Sequence, residues 1–249
     1  MSSGLPVTRI AHAHGNRRDT LIQALAAEVD IIELDLWFRA DQLYVRHERR
    51  HRWLPLLHDE TTSGHWPGGY AVRIGRYFVR PDISPYRLGD VLAATDGVKH
   101  LMIDVKGRHS REHAIRFARA LIREIARFNA APWVSVCGQT YAVLDALRGE
   151  QPPFPIRYSM QRAAQWDAFL ERMRVDPSVR AVSIQHALLD EGRLKQAQDG
   201  DVNIFCWTVD DPATAQRLVD RGVHGIISND LTLLTGVHSG EPPTSKLVP

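Results

Sequence analysis

The chain has 249 residues, 44% of them hydrophobic and 24% charged, with a formal net charge of +2. That supplies one sizeable core and matches the usual length of a single (β/α)₈ barrel, and the near-neutral charge excludes the basic excess typical of a nucleic-acid binder. No apolar run approaches about 18 residues, so no membrane span is expected, and the first residues lack a basic segment leading into an apolar one, which predicts a cytoplasmic protein.

The predicted elements alternate from one end to the other. Residues 7–12 read as a first strand and 19–28 as a helix with Leu21, Ile22, Leu25 and Ala26 on one side. Residues 30–36 form a second strand. Residues 43–47 extend it through the turn-like Ala40-Asp41-Gln42. Residues 48–87 break the rhythm with Pro55, Pro67, Pro81 and Pro85, and they interleave arginines with Trp53, Trp66, Tyr70, Tyr77 and Phe78. Such a long irregular insertion is usually functional or mobile; it reads as a cover over the barrel rim or as a contact with a lipid surface. Helix 88–95 follows. Strands at 101–105, 133–137, 156–159, 181–185, 203–207 and 225–228 then alternate with helices at 112–128, 141–148, 163–173, 191–198 and 212–221. The last of these helices has Pro212 in its first turn and Gly222 after its end. Residues 236–249 read as a frayed tail, which leaves 1–235 as one domain. Cys137 and Cys206, the two cysteines, lie in apolar runs and read as buried core residues. Eight strands separated by helices predict a closed α/β barrel of the TIM type; an open doubly wound sheet has the same count.

The most informative stretch is Ile31-Ile32-Glu33-Leu34-Asp35-Leu36. Successive strand residues face opposite sides, so Glu33 and Asp35 share one face. Two adjacent carboxylates on an apolar strand repel each other and resist desolvation, and a hard divalent cation, Mg²⁺ or Ca²⁺, relieves both problems. The alternative is an edge strand with a wet acidic face. Leu101-Met102-Ile103-Asp104-Val105-Lys106 repeats the design with an acid and a base on one face. His12, His14, His47, Trp207, Asn229 and Asp230 also fall at or just past strand ends, and strand ends on one rim converge on one pocket. A pocket with three carboxylates, two or three imidazoles and an ammonium suits phosphodiester cleavage. A metal and the lysine would neutralise phosphate charge, one histidine would take a proton and another would give one.

In order and spacing these residues resemble the glycerophosphodiester phosphodiesterase family. The matching segments are His12, Ile32-Glu33-Leu34-Asp35, His47, Ile103-Asp104-Val105-Lys106, Trp207-Thr208-Val209-Asp210, and Gly222-Val223-His224-Gly225-Ile226-Ile227-Ser228-Asn229. The resemblance spans about residues 9–234. It implies a TIM barrel and metal-dependent hydrolysis of a phosphodiester with an alcohol head group. It also implies His12 and His47 as the acid/base pair, Glu33, Asp35 and Asp104 as ligands of one divalent cation, Lys106 on the phosphate, and Trp207 lining the substrate pocket. His12-Ala13-His14-Gly15 replaces the family's His-Arg-Gly, so either His12 or His14 fits the first histidine and the other faces substrate. His47-Glu48 replaces His-Asp, while His58-Asp59 restores that pair at a longer spacing. Asp104, where Glu is commoner, is similar to the sphingomyelinase D-like phospholipases, which implies a cyclising lysophospholipase as the alternative to a hydrolase. A non-catalytic barrel that binds a phosphorylated ligand is a further alternative. The expected partner is a small-molecule or lysophospholipid phosphodiester, with no nucleic acid.

Overall fold

Strands buried on both faces have continuous apolar sequences rather than alternating ones, and most strands of this chain are of that kind. The computed structural model describes residues 7–47 and 86–237 and, between them, the backbone of four short strands. In chain order the elements are β1 (Thr8–Ala11), α1 (Arg18–Ala26), β2 (Ile31–Arg39), β3 (Gln42–Val45), the short strands β4 (Arg49–Arg50), β5 (Leu57–Asp59), β6 (Arg73–Ile74) and β7 (Tyr77–Val79), then β8 (Tyr86–Arg87) and α2 (Leu88–Thr95). They continue as β9 (His100–Val105), α3 (Arg111–Arg127), β10 (Val134–Gly138), α4 (Tyr141–Gly149), β11 (Ile156–Met160), α5 (Ala163–Val175), β12 (Ala181–Gln185), α6 (Glu191–Asp199), β13 (Asn203–Trp207), α7 (Pro212–Asp220), β14 (Gly225–Ser228) and α8 (Leu231–Gly236).

Strands β1, β2 and β9 to β14 are all parallel and follow one another around a ring that closes where β1 pairs with β2. The fold is therefore a TIM barrel, and the open-sheet alternative falls away. Local chemistry sets the helix starts. Side chains of Ser110, Asp190, Asp211 and Asp230 accept backbone N–H groups in the first turns of α3, α6, α7 and α8. On α3 the buried residues Ala114, Phe117, Ala118, Leu121 and Ile125 follow helical spacing and face the sheet. No helix among the described residues is long and apolar enough to cross a membrane.

Beyond Leu36 the second strand continues to Arg39, three residues further than its apolar run predicts, and pairs with β3 in an antiparallel hairpin. Ala40 and Asp41 turn the chain with φ of 46° and 56°, the left-handed pair that a two-residue hairpin needs. Phe38 stacks on Phe117 at 5.2 Å, which holds the hairpin against α3. The hairpin returns the chain to the rim, where Arg46 N–H donates to Asp35 O at 3.0 Å. Within the insertion, β8 adds to the hairpin and β4 to β7 form a separate four-stranded antiparallel sheet. The rest of residues 48–85, including most of the expected cover, and the tail from 238 lie outside the described residues, as do residues 1–6.

Ile10, Ile31, Met102, Cys137, Phe205 and Ile227 fill the barrel interior, and Trp207 packs on them from the rim side. Both cysteines are free and buried, as their sequence context predicts. Arg157 closes the opposite mouth. Its guanidinium lies 3.5 Å over the Phe205 ring and donates to Val182 O, Asn203 O and Asn203 Oδ1 at 2.7–3.0 Å. Burial lowers its pKa to about 9, so it stays charged at neutral pH. His100 and His224 sit at the same mouth, and burial, followed by the Arg157 charge, lowers both of their pKa values. Such histidines are neutral in the fold and titrate normally once unfolded. Their stabilisation is complete above the unfolded value of about 6.5 and is lost as pH falls through the depressed folded values. The melting temperature is accordingly expected to fall between neutral pH and about pH 5. A His100→Gln, His224→Gln variant should show a flatter profile in a pH series of thermal melts.

Candidate active site

The site begins where β1 leaves the barrel. His12 N–H donates to Ser228 O at 2.8 Å, which continues the β1–β14 ladder by one residue. Ala13 then takes φ 57°, and His14–Asn16 make a 3-10 turn that folds back over β2. Gly15 is required there, because a Cβ would lie 2.7 Å from Leu34 Cβ. The close approach brings two groups onto the acidic strand. Ala13 N–H donates to Glu33 Oε2 at 2.6 Å. Asn16 clamps Asp35 twice: its Nδ2 donates to Asp35 Oδ2 at 2.6 Å, and its Oδ1 accepts Asp35 N–H at 2.7 Å.

The β2–β9 register sets Asp35 directly beside Asp104. Glu33, Asp35 and Asp104 are all buried, and each offers a carboxylate oxygen within 4.8 Å of the others. Lys106 lies among them. Its Nζ is 2.6 Å from Asp35 Oδ1, an ion pair without hydrogen-bond alignment, and it donates to Asp104 Oδ2. The lysine backbone is fixed by Lys106 N–H to Leu36 O at 2.9 Å and by a 2.9 Å contact between His109 Nε2 and Lys106 O. Gly107 turns the chain at φ 98°, and Thr140 Oγ1 donates to its carbonyl. The Lys106 side chain remains 29% exposed, so it also faces outward.

Burial dominates the electrostatics of this cluster. It pushes Glu33 well above the usual carboxylate range, and the Asp35 charge adds to the shift. Burial also raises Asp104, because it outweighs the nearby Lys106. In Asp35 burial acts in the same sense, but Lys106 and then His47 overcome it and hold the carboxyl below its usual value. Burial would lower Lys106, yet Asp104, Asp35 and Glu33 together raise it well above an ordinary lysine.

Glu33, Asp35 and Asp104 also pass a physical test for a hard cation. Asp104 Oδ1 is buried with no hydrogen-bond partner among the described residues, an orphaned carboxylate oxygen that a cation would satisfy. All three donors are oxygens, as Mg²⁺ and Ca²⁺ require, and the donor set does not choose between the two ions.

The two histidines nearest the barrel are held differently. His12 Nδ1 lies 2.8 Å from Asn229 Oδ1. Asn229 Nδ2 donates to Asp210 Oδ2 at 2.7 Å, which fixes the amide with its oxygen toward the imidazole. Neutral His12 therefore carries its proton on Nδ1 and leaves Nε2 bare. Asp210 also accepts Ser228 Oγ–H and Asn229 N–H at 2.8 Å. Burial would raise its carboxyl, but these bonds, led by the Asn229 side chain, hold it below the usual range. His14 instead turns Nδ1 to His12 O at 2.9 Å, and its own carbonyl accepts Thr20 Oγ1–H at 2.8 Å. His47 is exposed at the rim, next to Arg46, close enough for its charge to act on Asp35. Trp207 ends β13 half-buried, and its Nε1 is buried with no hydrogen-bond partner among the described residues. His58 falls in β5, and its side chain lies outside the described residues.

Asn16, Asp210 and Asn229 are the residues whose roles sequence reasoning missed. Asn229 stands out as a polar strand end, and Asp210 belongs to the Trp207-Thr208-Val209-Asp210 segment, but nothing local shows that the two meet below His12. Asn16 carries no signal beyond its place after Gly15.

A family model described as the glycerophosphoryl diester phosphodiesterase family matches residues 85–233. The matched span includes Asp104, Lys106, Trp207, Asp210 and Asn229, and it begins after His12, Glu33, Asp35 and His47. No curated protein sequence matches the chain. Among solved structures, a glycerophosphodiester phosphodiesterase from Parabacteroides distasonis is 16% identical, with a TM-score of 0.69, 92% of this chain covered and 95% of the other. One from Thermotoga maritima is 18% identical, with a TM-score of 0.65 and coverage of 92% and 97%. A phosphodiesterase from Oleispira antarctica in complex with the product sn-glycerol-3-phosphate is 12% identical, with a TM-score of 0.65 and coverage of 92% and 95%. At these identities the likeness is one of fold.

Proposed function

Because the chain belongs to the glycerophosphoryl diester phosphodiesterase family, and is a phosphodiesterase by that membership, we propose that it cleaves glycerophosphodiesters or lysophospholipid-like diesters through the rim cluster just described. The observation that carries this reading is the buried Glu33–Asp35–Asp104 triad with Lys106 beside it and a tautomer-fixed His12 at the same rim. A divalent cation, Mg²⁺ or Ca²⁺, held by Glu33, Asp35 and Asp104 would neutralise charge developing on the phosphoryl oxygens. Lys106, partly open to the rim, contacts the same phosphate. His12 accepts a proton at bare Nε2 from the attacking oxygen, and the Asn229–Asp210 pair stabilises the imidazolium that forms. His47 donates a proton to the departing alcohol oxygen as the P–O bond breaks. His14, with Nδ1 turned to the His12 carbonyl, is the residue left free to face substrate. Trp207 forms a wall of the pocket, and an aromatic face there suits a choline-like head group. Contact with a lipid surface through residues 48–87 stays part of the proposal, although most of that segment lies outside the described residues.

A second reading concerns the attacking oxygen alone. The chain has Asp104-Val105-Lys106 and lacks His-Arg-Gly, the features it shares with cyclising phospholipases. If water attacks, cleavage of glycerophosphocholine in ¹⁸O-water places one labelled oxygen on glycerol phosphate, read by mass spectrometry. If a substrate hydroxyl attacks, the first product is an unlabelled cyclic phosphate. Label in the released alcohol instead would mean that the C–O bond breaks and would contradict both readings.

A further inference from the structure

We propose that Lys106 is the resident cation of the acidic site. It holds Asp35 and Asp104 together when no metal is bound, and it gives up Asp35 Oδ1 when a divalent ion arrives. This inference rests on the metal site proposed above.

Asp35 has only one oxygen to offer. Asn16 holds Oδ2 at 2.6 Å and also grips the Asp35 backbone N–H, so the carboxylate cannot turn to present the other oxygen. The remaining oxygen, Oδ1, lies 2.6 Å from Lys106 Nζ. Asp104 divides its oxygens in a similar way: Oδ2 accepts from Lys106, and Oδ1 is buried without a partner among the described residues. A divalent ion gathering one oxygen from each of Glu33, Asp35 and Asp104 must therefore approach an oxygen that already faces an ammonium. Two cations on one carboxylate oxygen in a buried site repel strongly. The lysine has somewhere to go. Its backbone is pinned by the bond from Lys106 N–H to Leu36 O and by the His109 contact, but its side chain is 29% exposed toward the rim. An ion entering the triad thus turns Nζ outward, to where a substrate phosphate would sit. The same lysine keeps buried like charges from repelling one another in the metal-free protein, where removal of a counter-charge is costly.

The test uses Lys106→Met, which keeps the length and loses the charge, and Lys106→Arg, which keeps the charge. Thermal melts are run in EDTA and in Mg²⁺ or Ca²⁺, and binding of each ion alone is measured by calorimetry. In EDTA, Lys106→Met should melt about 10 °C below wild type, while Lys106→Arg stays near it. Metal should restore most of the loss in Lys106→Met and change wild type by only a few degrees. Lys106→Met should bind Mg²⁺ or Ca²⁺ at least about tenfold more tightly than wild type. A Lys106→Met protein that folds only with metal is the extreme form of the expected result. A Lys106→Met protein that melts like wild type in EDTA, binds metal no more tightly, or fails to fold with and without metal overturns the proposal. Wild type that binds neither ion removes the metal reading and, with it, the displacement half of the inference; the EDTA melts then decide the counter-ion half alone.

Discussion

His12→Ala is expected to lower kcat on a glycerophosphodiester by about 10³-fold, within the range lost when a positioned acid or base is removed, with little change in melting temperature. The imidazole is only half-buried and lies at the rim, so its removal costs the fold little. The reading is sharper in its supporting residues. Asn229→Ala leaves His12 Nδ1 without its acceptor. Asp210→Asn removes the carboxylate that orients the Asn229 amide. Both changes should lower kcat by about 10-fold to 100-fold with KM nearly unchanged, because they alter the tautomer and orientation of the base and not substrate contact. Steady-state kinetics across pH on folded variants would check this. An Asp210→Asn enzyme with wild-type kcat would show that the Asp210–Asn229–His12 chain has no part in proton transfer.

Asp35→Asn is expected to abolish detectable binding of Mg²⁺ or Ca²⁺ and to lower activity by at least about 10³-fold, although only an oxygen becomes an amide nitrogen. Both partners of this carboxylate are donors, Asn16 Nδ2 at Oδ2 and Lys106 Nζ at Oδ1. An amide must turn its NH₂ toward one of them, so a donor meets a donor in a buried site. The Lys106 charge also loses its partner, and breaking such a pair costs about 3–5 kcal/mol. The melting temperature should therefore fall by about 10 °C in EDTA, and, unlike that of Lys106→Met, it should not recover when metal is added. Recovery of the melting temperature with metal would place the ion away from Asp35.

Much of the barrel can be read in the chain, because buried parallel strands have continuous apolar sequences and Pro212 in the first turn of α7 marks a helix start. The acidic face is legible for the same geometric reason: a period of two puts Glu33 and Asp35 on one side, and the register with β9 then places Asp104 beside Asp35. The extension of β2 past Leu36 was not, since Trp37 and Phe38 owe their place to a hairpin held against Phe117, 79 positions on from Phe38 in the sequence. The His12–Asn229 contact joins residues 217 positions apart. No local pattern encodes such a pair, and it exists only because barrel closure brings β14 next to β1. Arg157 is the plainest case. From its neighbours Ile156 and Tyr158 it reads as an ordinary arginine in a strand, yet the closed ring turns it inward to cover Phe205 and to bond the carbonyls of two other strands.

The most direct measurement is ³¹P NMR of glycerophosphocholine and lysophosphatidylcholine incubated with the purified protein in Mg²⁺, in Ca²⁺ and in EDTA, beside a folded His12→Ala, His47→Ala double variant. The account predicts that the diester resonance of at least one substrate is replaced by a glycerol phosphate or cyclic phosphate resonance with metal, persists in EDTA, and persists with the double variant under all conditions. Equal turnover in EDTA, or turnover by the double variant at the wild-type rate, would contradict the assignment of the Glu33–Asp35–Asp104 site and its two histidines as the catalytic centre.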